Sequence, residues 1–338
     1  MSLRELDATT VTALVEDATA APSMHNAQPW RFRFLRGDHA FQVWSDLERA
    51  MPRADPTTRA LHLGCAAALF NLRVAASHAG WVPETELLPD PAEPRLLAVV
   101  RLTERRALPG NAVEDDLAED LAPLYPAVHR RRTSRHPFTD EEIPPAIKDA
   151  LSAAALLEGA RLAFPDAWHV HTLLDLVHDA EGRDAMDAAA SAELRQWTRV
   201  GAEAAETASD GVPERAFGPR RLYGRAPVRD FAARAPVPGR EAAAFENAPQ
   251  LAVLGTADDR PRDWLVAGQA MERVLLQATL DGLATSLTSH ALEWPELRWA
   301  VRDPRSAMGF IQMVLRLGYG PSGPGTPRRP VPEVLDIV

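Results

Sequence analysis

The residues of this chain best suited to binding chemistry form one short basic run, from Arg130 to Arg135. The run has arginine at positions 130, 131, 132 and 135, and the hydroxyls of Thr133 and Ser134 lie between them. Guanidinium groups and hydroxyls near the start of a helix make an anion site, and phosphate is the obvious ligand. Composition alone favours this anion site and a solvated basic run on a surface connection equally.

A second polar group of residues lies in the segment Ala21–Trp30, called here the motif loop. It follows an apolar helical pattern and precedes the strict alternation of a strand, so the sequence predicts a helix-to-strand loop. Pro22 ends the helix because it has no N–H and biases Ala21 away from the helical conformation. A turn with capping side chains would explain Ser23 or Asn26 taken singly.

Two further segments carry polar residues near the C-terminus. Arg328 and Arg329 lie in a Gly/Pro-rich tail, which by itself is typical of a solvated extension. The segment Gly282–His290 includes Thr288 and Ser289. No set of His, Cys and Asp residues has the spacing of a zinc site, so we expect no metal.

Taken together, these segments resemble the flavin-dependent nitroreductase family, in its fused, Acg-type branch. The motif loop has every fixed position of the signature APSxxNxQPWxF, namely Ala21, Pro22, Ser23, Asn26, Gln28, Pro29, Trp30 and Phe32. Arg131–Arg135 resembles the motif RRSxR, with Thr133 in place of serine, and the tail resembles GYP…KxR. Gly282–His290 is similar to the segment beside the flavin N5 edge, but Ser289 and His290 replace an acid and a glycine.

The resemblance implies FMN as cofactor and a set of residues around it. The phosphate and ribityl chain would be held by Arg131, Arg132, Thr133, Arg135, Arg328 and Arg329. The ring or ribityl chain would be contacted by Pro22, Ser23, Met24 and Asn26, and Thr288 and Ser289 would lie beside the N5 edge of the ring. The resemblance supplies no acid–base residue, and we name no catalytic side chain.

The expected fold is α+β and nitroreductase-like, with two related lobes that form an intrachain pseudo-dimer. The lobes would comprise residues 1–127 and 128–338, with a lid-like insertion at 201–245. A helix–strand–buried helix–strand order occurs twice, and Gly64 and Gly268 are expected to open the two buried helices. Ordinary helix–strand alternation in an α/β domain is the alternative explanation. Pairing of two whole chains stays open.

The overall composition restricts the partners of the chain. The net charge is −10 and the acidic residues are scattered, which argues against nucleic acid and anionic membranes. One cysteine, Cys65, excludes an intramolecular disulfide and fits a reducing compartment. No stretch reaches 18 uninterrupted apolar residues, so we expect no membrane span and a cytoplasmic location.

Two functions therefore follow from the resemblance. The first is an FMN-dependent oxidoreductase that transfers electrons from NAD(P)H to a small organic acceptor. The second is a non-catalytic flavin-binding or storage protein, in which the insertion covers the flavin. A structural pseudo-dimer that has lost flavin is a third interpretation, and the intact set of phosphate residues argues against it.

Replacing Arg131 tests the phosphate assignment. We expect Arg131→Ala to weaken FMN binding by about 1–3 kcal/mol, because a charged hydrogen-bond donor is lost. The measurement is a titration of the apoprotein with FMN. An unchanged affinity would remove Arg131 from the site.

Overall fold

The computed structural model describes residues 6–105, 120–232, 237–303 and 308–338. The helices are α1 Ala8–Thr19, α2 Arg59–His78, α3 Tyr125–Val128, α4 Pro145–Leu157, α5 Ala167–Met186, α6 Ala188–Gln196, α7 Ala202–Thr207, α8 Pro261–Leu280, α9 Pro295–Ala300 and α10 Val331–Val334. The strands of the first half are β1 Trp30–Leu35, β2 Ala40–Ser45, β3 Trp81–Leu87 and β4 Leu96–Glu104. Those that follow are β5 Arg161–Ala163, β6 Thr198–Arg199, β7 Val212–Pro213, β8 Arg220–Tyr223, β9 Ala242–Ala244, β10 Leu251–Thr256, β11 Ala284–Thr288, β12 Phe310–Gly318 and β13 Leu335–Ile337.

Two main sheets repeat one strand order, which confirms the α+β prediction. In the first sheet the order is β13-β1-β2-β4-β3, and in the second it is β11-β12-β10-β5. If β13 is left out, each sheet has four strands. Numbered along the chain within each sheet, these strands lie in the order first, second, fourth and third, and every neighbouring pair is antiparallel. Both central pairs also shift register, at Val43/Trp44 and at Leu254/Gly255. The two halves therefore share a topology as well as an element order.

Helices α2 and α8 pack against each other between the two sheets. A Cβ on Gly268 of α8 would lie 2.5 Å from the carbonyl oxygen of Leu63 in α2. Gly64 meets the motif loop instead, where its Cβ would lie 3.1 Å from that of Ser23. The expectation that these glycines open the helices was wrong, since both lie inside them. They mark close contacts, which require a missing side chain.

A single apolar cluster runs through both halves. It includes Phe32 and Leu69 from the first half and Leu254, Val274 and Leu315 from the second. Helix α2 is the one described helix long and apolar enough to cross a membrane, and 94% of its apolar window is buried in the fold. That burial is what a central core helix shows.

Several strands were not predicted from the sequence, and β3 and β13 are two of them. Trp81–Leu87 follows α2 and forms β3, which pairs with β4. The C-terminal strand β13 pairs parallel with β1, with Phe32 opposite Leu335. The end of the chain thus completes the sheet of the first half, across the expected boundary at residue 127. Residues 106–119 lie outside the described part of the chain.

The insertion at 201–245 has a small core of its own. Val212, Ala216, Phe217, Phe231 and Ala232 form a separate apolar cluster. Its described residues form the short strands β7, β8 and β9, helix α7 and a 3-10 helix at Glu214–Ala216. The insertion is therefore an irregular but packed segment, which is typical of a long ordered loop.

The glycine contacts give a matched pair of substitutions. We expect Gly268→Ala to lower the free energy of unfolding by about 1–3 kcal/mol, because the new methyl group overpacks against Leu63. Gly182 lies in α5, and no atom lies within 4 Å of the position that its Cβ would take, so Gly182→Ala should raise stability by about 0.5–1 kcal/mol. Urea unfolding measures both. Equal effects of the same sign would contradict the close contact of α2 with α8.

Candidate functional site

The basic run Arg130–Arg135 lies along the edge of the second sheet. Thr133 forms a bridge with Thr285 of β11, and the N–H of Ser134 donates to the Thr285 carbonyl at 2.8 Å. The Ser134 hydroxyl donates to the carbonyl of Pro321 at 2.7 Å. The run does not cap the next helix, which begins at Pro145. These hydrogen bonds fix the position of the run and leave the side chains of Arg131, Arg132 and Arg135 able to contact neighbouring elements.

Two predicted arginines converge on the C-terminal end of α1. Arg131 donates from Nη2 to the carbonyl of Ala20 at 3.1 Å, and Arg328 donates to the same oxygen at 2.9 Å. Arg328 also donates from Nε to the carbonyl of Thr19 at 2.6 Å. The last carbonyls of a helix lack intrahelical partners and attract cations. The two arginines thus cap α1 from two distant parts of the sequence.

Asn26 of the motif loop joins the same group. Its Oδ1 accepts from Arg328 at 2.9 Å, and its Nδ2 donates to the carbonyl of Pro327 at 3.0 Å. Through Arg328 and Ala20, Asn26 is therefore connected to Arg131. The structure brings the motif loop, the basic run and the tail to one place.

This arginine cluster, comprising Arg131, Arg132 and Arg328, has an excess of positive charge. Its buried counterion is Glu272 of α8, whose Oε1 lies 3.4 Å from the Nε of Arg131. Burial, and then the charges of Arg131 and Arg132, lower the pKa of Arg328 to about 9. Arg132 is half-buried and donates from Nη1 to the carbonyl of Arg131 at 2.8 Å. A guanidinium has five N–H donors, so Arg132 retains capacity for an anion.

Arg329 occupies a different environment from Arg328. Its guanidinium lies 3.5 Å from Asp46 Oδ2 and donates to the carbonyl of Glu333 at 3.2 Å. Its backbone N–H donates to Oε1 of Gln28 at 2.8 Å. The contacts of Arg329 thus lie on the Gln28 side of the motif loop, and the structure does not bring it into the arginine cluster.

A cavity of about 1230 Å³ lies under the insertion. The motif loop contributes His25 to its lining, the segment after β11 contributes His290 and Glu293, and the insertion contributes Arg229 and Phe231. None of the residues predicted to bind the cofactor lines it, although several are next in sequence to residues that do. Thr288 donates to the carbonyl of Pro227 at 2.9 Å and Ser289 to Glu293 at 2.7 Å, so both support the cavity wall.

Arg135 connects the basic run to this cavity. Its guanidinium lies 4.8 Å from the ring centroid of Phe231 and donates to the carbonyl of Ala216 at 3.0 Å. Burial, and then the charge of Arg229, lower the pKa of Arg135 to about 10. The stretch from Arg131 to Arg135 therefore runs from the arginine cluster toward the cavity.

The motif loop also binds the insertion. Asn26 Nδ2 donates to the carbonyl of Gly211 at 2.9 Å, and Gln28 Nε2 donates to that of Ser209 at 2.9 Å. Asp210 between them forms ion pairs with Arg49 and Arg199. Asn26, which the resemblance predicts to contact flavin, and its neighbour Gln28 thus contact the insertion directly.

The backbone of the motif loop is strained. His25, Asn26 and Gln28 have φ of 49°, 57° and 54°, a region that residues other than glycine seldom adopt. Pro22 is buried, whereas Ser23 and Met24 are half-buried. Gln28 N–H donates to the Ser23 hydroxyl at 2.8 Å, which closes the turn. Such strain is maintained only where surrounding contacts determine the conformation, and functional loops are where it concentrates.

The chain belongs to the nitroreductase family. The family model described as "Nitroreductase family" matches residues 128–319. A Mycobacterium tuberculosis protein named "Putative NAD(P)H nitroreductase Rv3131" is 31% identical over 98% of this chain and 92% of its own length. Another from the same organism, "Putative NAD(P)H nitroreductase acg", is 29% identical over 97% and 95%.

Solved structures give a weaker likeness. A nitroreductase with bound FMN from Bacteroides fragilis has a TM-score of 0.36 at 14% identity, covering 61% of this chain and 92% of its own. A nitroreductase-like protein from Bacillus cereus has a TM-score of 0.37 at 14% identity, covering 69% and 99%.

Several residues of the site were not predicted from the sequence. His25 occupies a variable position of the motif, and Arg229 and Phe231 lie in the insertion. Glu272 carried one available signal, since it is a charged residue inside an otherwise apolar helical face. Among the described residues, no group of His, Cys, Asp and Glu could hold a metal ion.

The buried carboxyl of Glu272 should make stability depend on pH. Burial raises its pKa from 4.5 to about 7, although Arg131 acts in the opposite direction. Between pH 4.5 and about 7, the folded protein keeps a proton on Glu272 that the unfolded chain has released. The free energy of unfolding therefore falls as the pH rises through this window. The full effect is on the order of 3 kcal/mol, at about 1.4 kcal/mol for each unit of pKa shift.

We expect Glu272→Gln to gain stability relative to wild type as the pH rises from 5 to 8. Urea unfolding at several pH values measures the difference, and Glu84→Gln on the exposed face of β3 is the control. A constant difference between Glu272→Gln and wild type across this range would contradict the raised pKa.

Proposed function

We propose that this chain is an FMN-dependent oxidoreductase that transfers electrons from NAD(P)H to a small organic acceptor. One observation supports it most: the arginine cluster has more positive charge than Glu272 balances, and Arg135 of the same basic run contacts Phe231 in the cavity wall. A buried excess of guanidinium groups is stabilised by a bound anion such as a phosphate. The names of the M. tuberculosis relatives agree with this reaction.

The residues present fit an FMN phosphate at the arginine cluster. Arg132 retains unused donors, whereas the buried Nε of Arg131 faces Glu272 at 3.4 Å, so Arg131 would contribute mainly charge. Arg328 uses its donors on Thr19, Ala20, Ala21, Asn26, Thr326 and Pro327, so it would contribute charge and position Asn26. Bound FMN would supply a ring that accepts and passes on electrons, while the protein binds and shields it.

We infer also that the two halves arose by internal duplication and form a pseudo-dimer within one chain. The shared strand order, the shared register shifts and the central α2–α8 pair support this inference. The basic run belongs to the second half and the motif loop to the first, so one such site can be assembled at their junction.

A second candidate is a non-catalytic flavin-binding protein. The observation that favours it is the contact of the insertion with the motif loop, through Asn26, Gln28 and Asp210. If these contacts persist with flavin bound, the insertion would exclude NAD(P)H and acceptors. The two candidates share the cofactor and differ in access to it.

Anaerobic addition of NAD(P)H to the purified yellow protein separates the candidates. We expect the visible absorbance of bound flavin to bleach. Asp210→Asn weakens the ion pairs with Arg49 and Arg199, so it should speed bleaching if the insertion limits access. A yellow protein that bleaches in neither form would support storage, and a colourless one that rejects FMN would refute both.

The same preparation tests the phosphate site with matched variants. Arg132→Ala should lower FMN affinity tenfold or more, because Arg132 has donors to spare and few structural contacts. Arg130 is exposed, so Arg130→Ala is the control and should retain wild-type affinity. Equal losses in both variants would point to general electrostatics instead of a defined site.

A further inference from the structure

The counterion of the arginine cluster lies fully inside the protein. Glu272 is 0% exposed, and its Oε1 lies 3.4 Å from Nε of Arg131. Burial raises the pKa of this carboxyl to about 7, whereas Arg131, the amide of Asn71 on α2 and the charge of Arg328 act in the opposite direction. The basic run, α2 and the tail thus all favour the ionised carboxylate. Its ionisation therefore depends on how much positive charge remains available to it.

A phosphate at the arginine cluster would use the same positive charge as Glu272. Burial and then the charges of Arg131 and Arg132 lower the pKa of Arg328, and burial and then Arg131 lower the pKa of Arg132. The three guanidinium groups are therefore within electrostatic reach of one another, and two of them, Arg131 and Arg328, also act on Glu272. Charges are screened less inside a protein than in water. An anion bound at Arg132 would therefore repel an ionised Glu272.

The carboxyl of Glu272 can avoid this repulsion without any movement of the backbone. A proton from solvent converts the carboxylate to a neutral carboxylic acid with one O–H bond. Like charges that share a site raise the pKa of the weaker acid, so a nearby phosphate favours this protonated form. The effect is largest near pH 8, where Glu272 is mostly ionised as long as no anion is bound.

We propose that Glu272 takes up a proton from solvent when a phosphate group binds the arginine cluster. The proton neutralises the carboxylate, so the full charge of Arg131 becomes available to the phosphate. The assignment of this phosphate to FMN rests on the proposed function. Binding of the cofactor is thereby coupled to pH, and the protein retains FMN more tightly at pH 7 than at pH 8.

Calorimetric titration of the apoprotein with FMN at pH 8 tests this proposal. Titrations in Tris and in HEPES, which differ in ionisation enthalpy, give the number of protons taken up. A phosphate monoester has lost its second proton at this pH, since that pKa is about 6. We expect uptake of about half a proton or more for each FMN, and an affinity about threefold lower at pH 8 than at pH 7.

Two variants assign the proton to its residue. Glu272→Gln has no proton to gain, so it should bind FMN about threefold or more tightly than wild type at pH 8, with little proton uptake. Arg328 has a pKa of about 9, so it is mostly charged at pH 8 and accounts for only a small part of the uptake. Glu84→Gln, on the exposed face of β3, is the matched control and should behave as wild type.

Riboflavin has the ring and ribityl chain of FMN but no phosphate, so its binding should take up no proton. FMN binding without proton uptake, or undiminished uptake in Glu272→Gln, would overturn the proposal and leave the proposed function standing. Equal uptake with riboflavin would also overturn it, because the phosphate would not be the cause. A protein that binds neither flavin refutes the proposed function and this coupling together. The difference between FMN and riboflavin in wild type remains a test if Glu272→Gln does not fold.

Discussion

The close contact between α2 and α8 is the constraint on which the rest of the structure depends. At Gly268 the backbone of one helix reaches the backbone of the other, because a side chain there would collide with the Leu63 carbonyl. Each helix is long, apolar and packed against its own sheet, so their contact joins two sheets into one continuous core. Gly64 of α2 lies against Ser23 of the motif loop, and Glu272 of α8 pairs with Arg131, so both helices reach the candidate site.

Arg328 makes a second connection that is polar instead of apolar. It satisfies the terminal carbonyls of α1 and fixes the amide of Asn26, so the tail, α1 and the motif loop have one arrangement. Burying this guanidinium beside Arg131 is costly, and Glu272 offsets the cost only in part. A bound phosphate would relieve the remaining repulsion, which links the stability of this region to the cofactor proposed for it.

The insertion adds a third feature, a cavity with its own cover. Its small apolar core keeps Phe217 and Phe231 in place, and the motif loop holds it by hydrogen bonds from Asn26 and Gln28. The same loop contributes a strained His25 to the cavity wall. The motif loop therefore holds the insertion over the cavity and also contributes a polar side chain to the cavity wall.

The sequence by itself determined the family, the α+β class, the main helices and the convergence of the motif loop, the basic run and Arg328. The class and the helices depend on local patterns, namely apolar periodicity and prolines that stop helices, whereas the convergence was expected from the resemblance to the family. The structure alone decided that β13 joins β1, that Arg329 lies apart from Arg328, and that His25, His290, Glu272 and the insertion shape the site. Such features depend on contacts between residues far apart in the chain. The local sequence around these residues does not indicate which residues they contact in the folded protein.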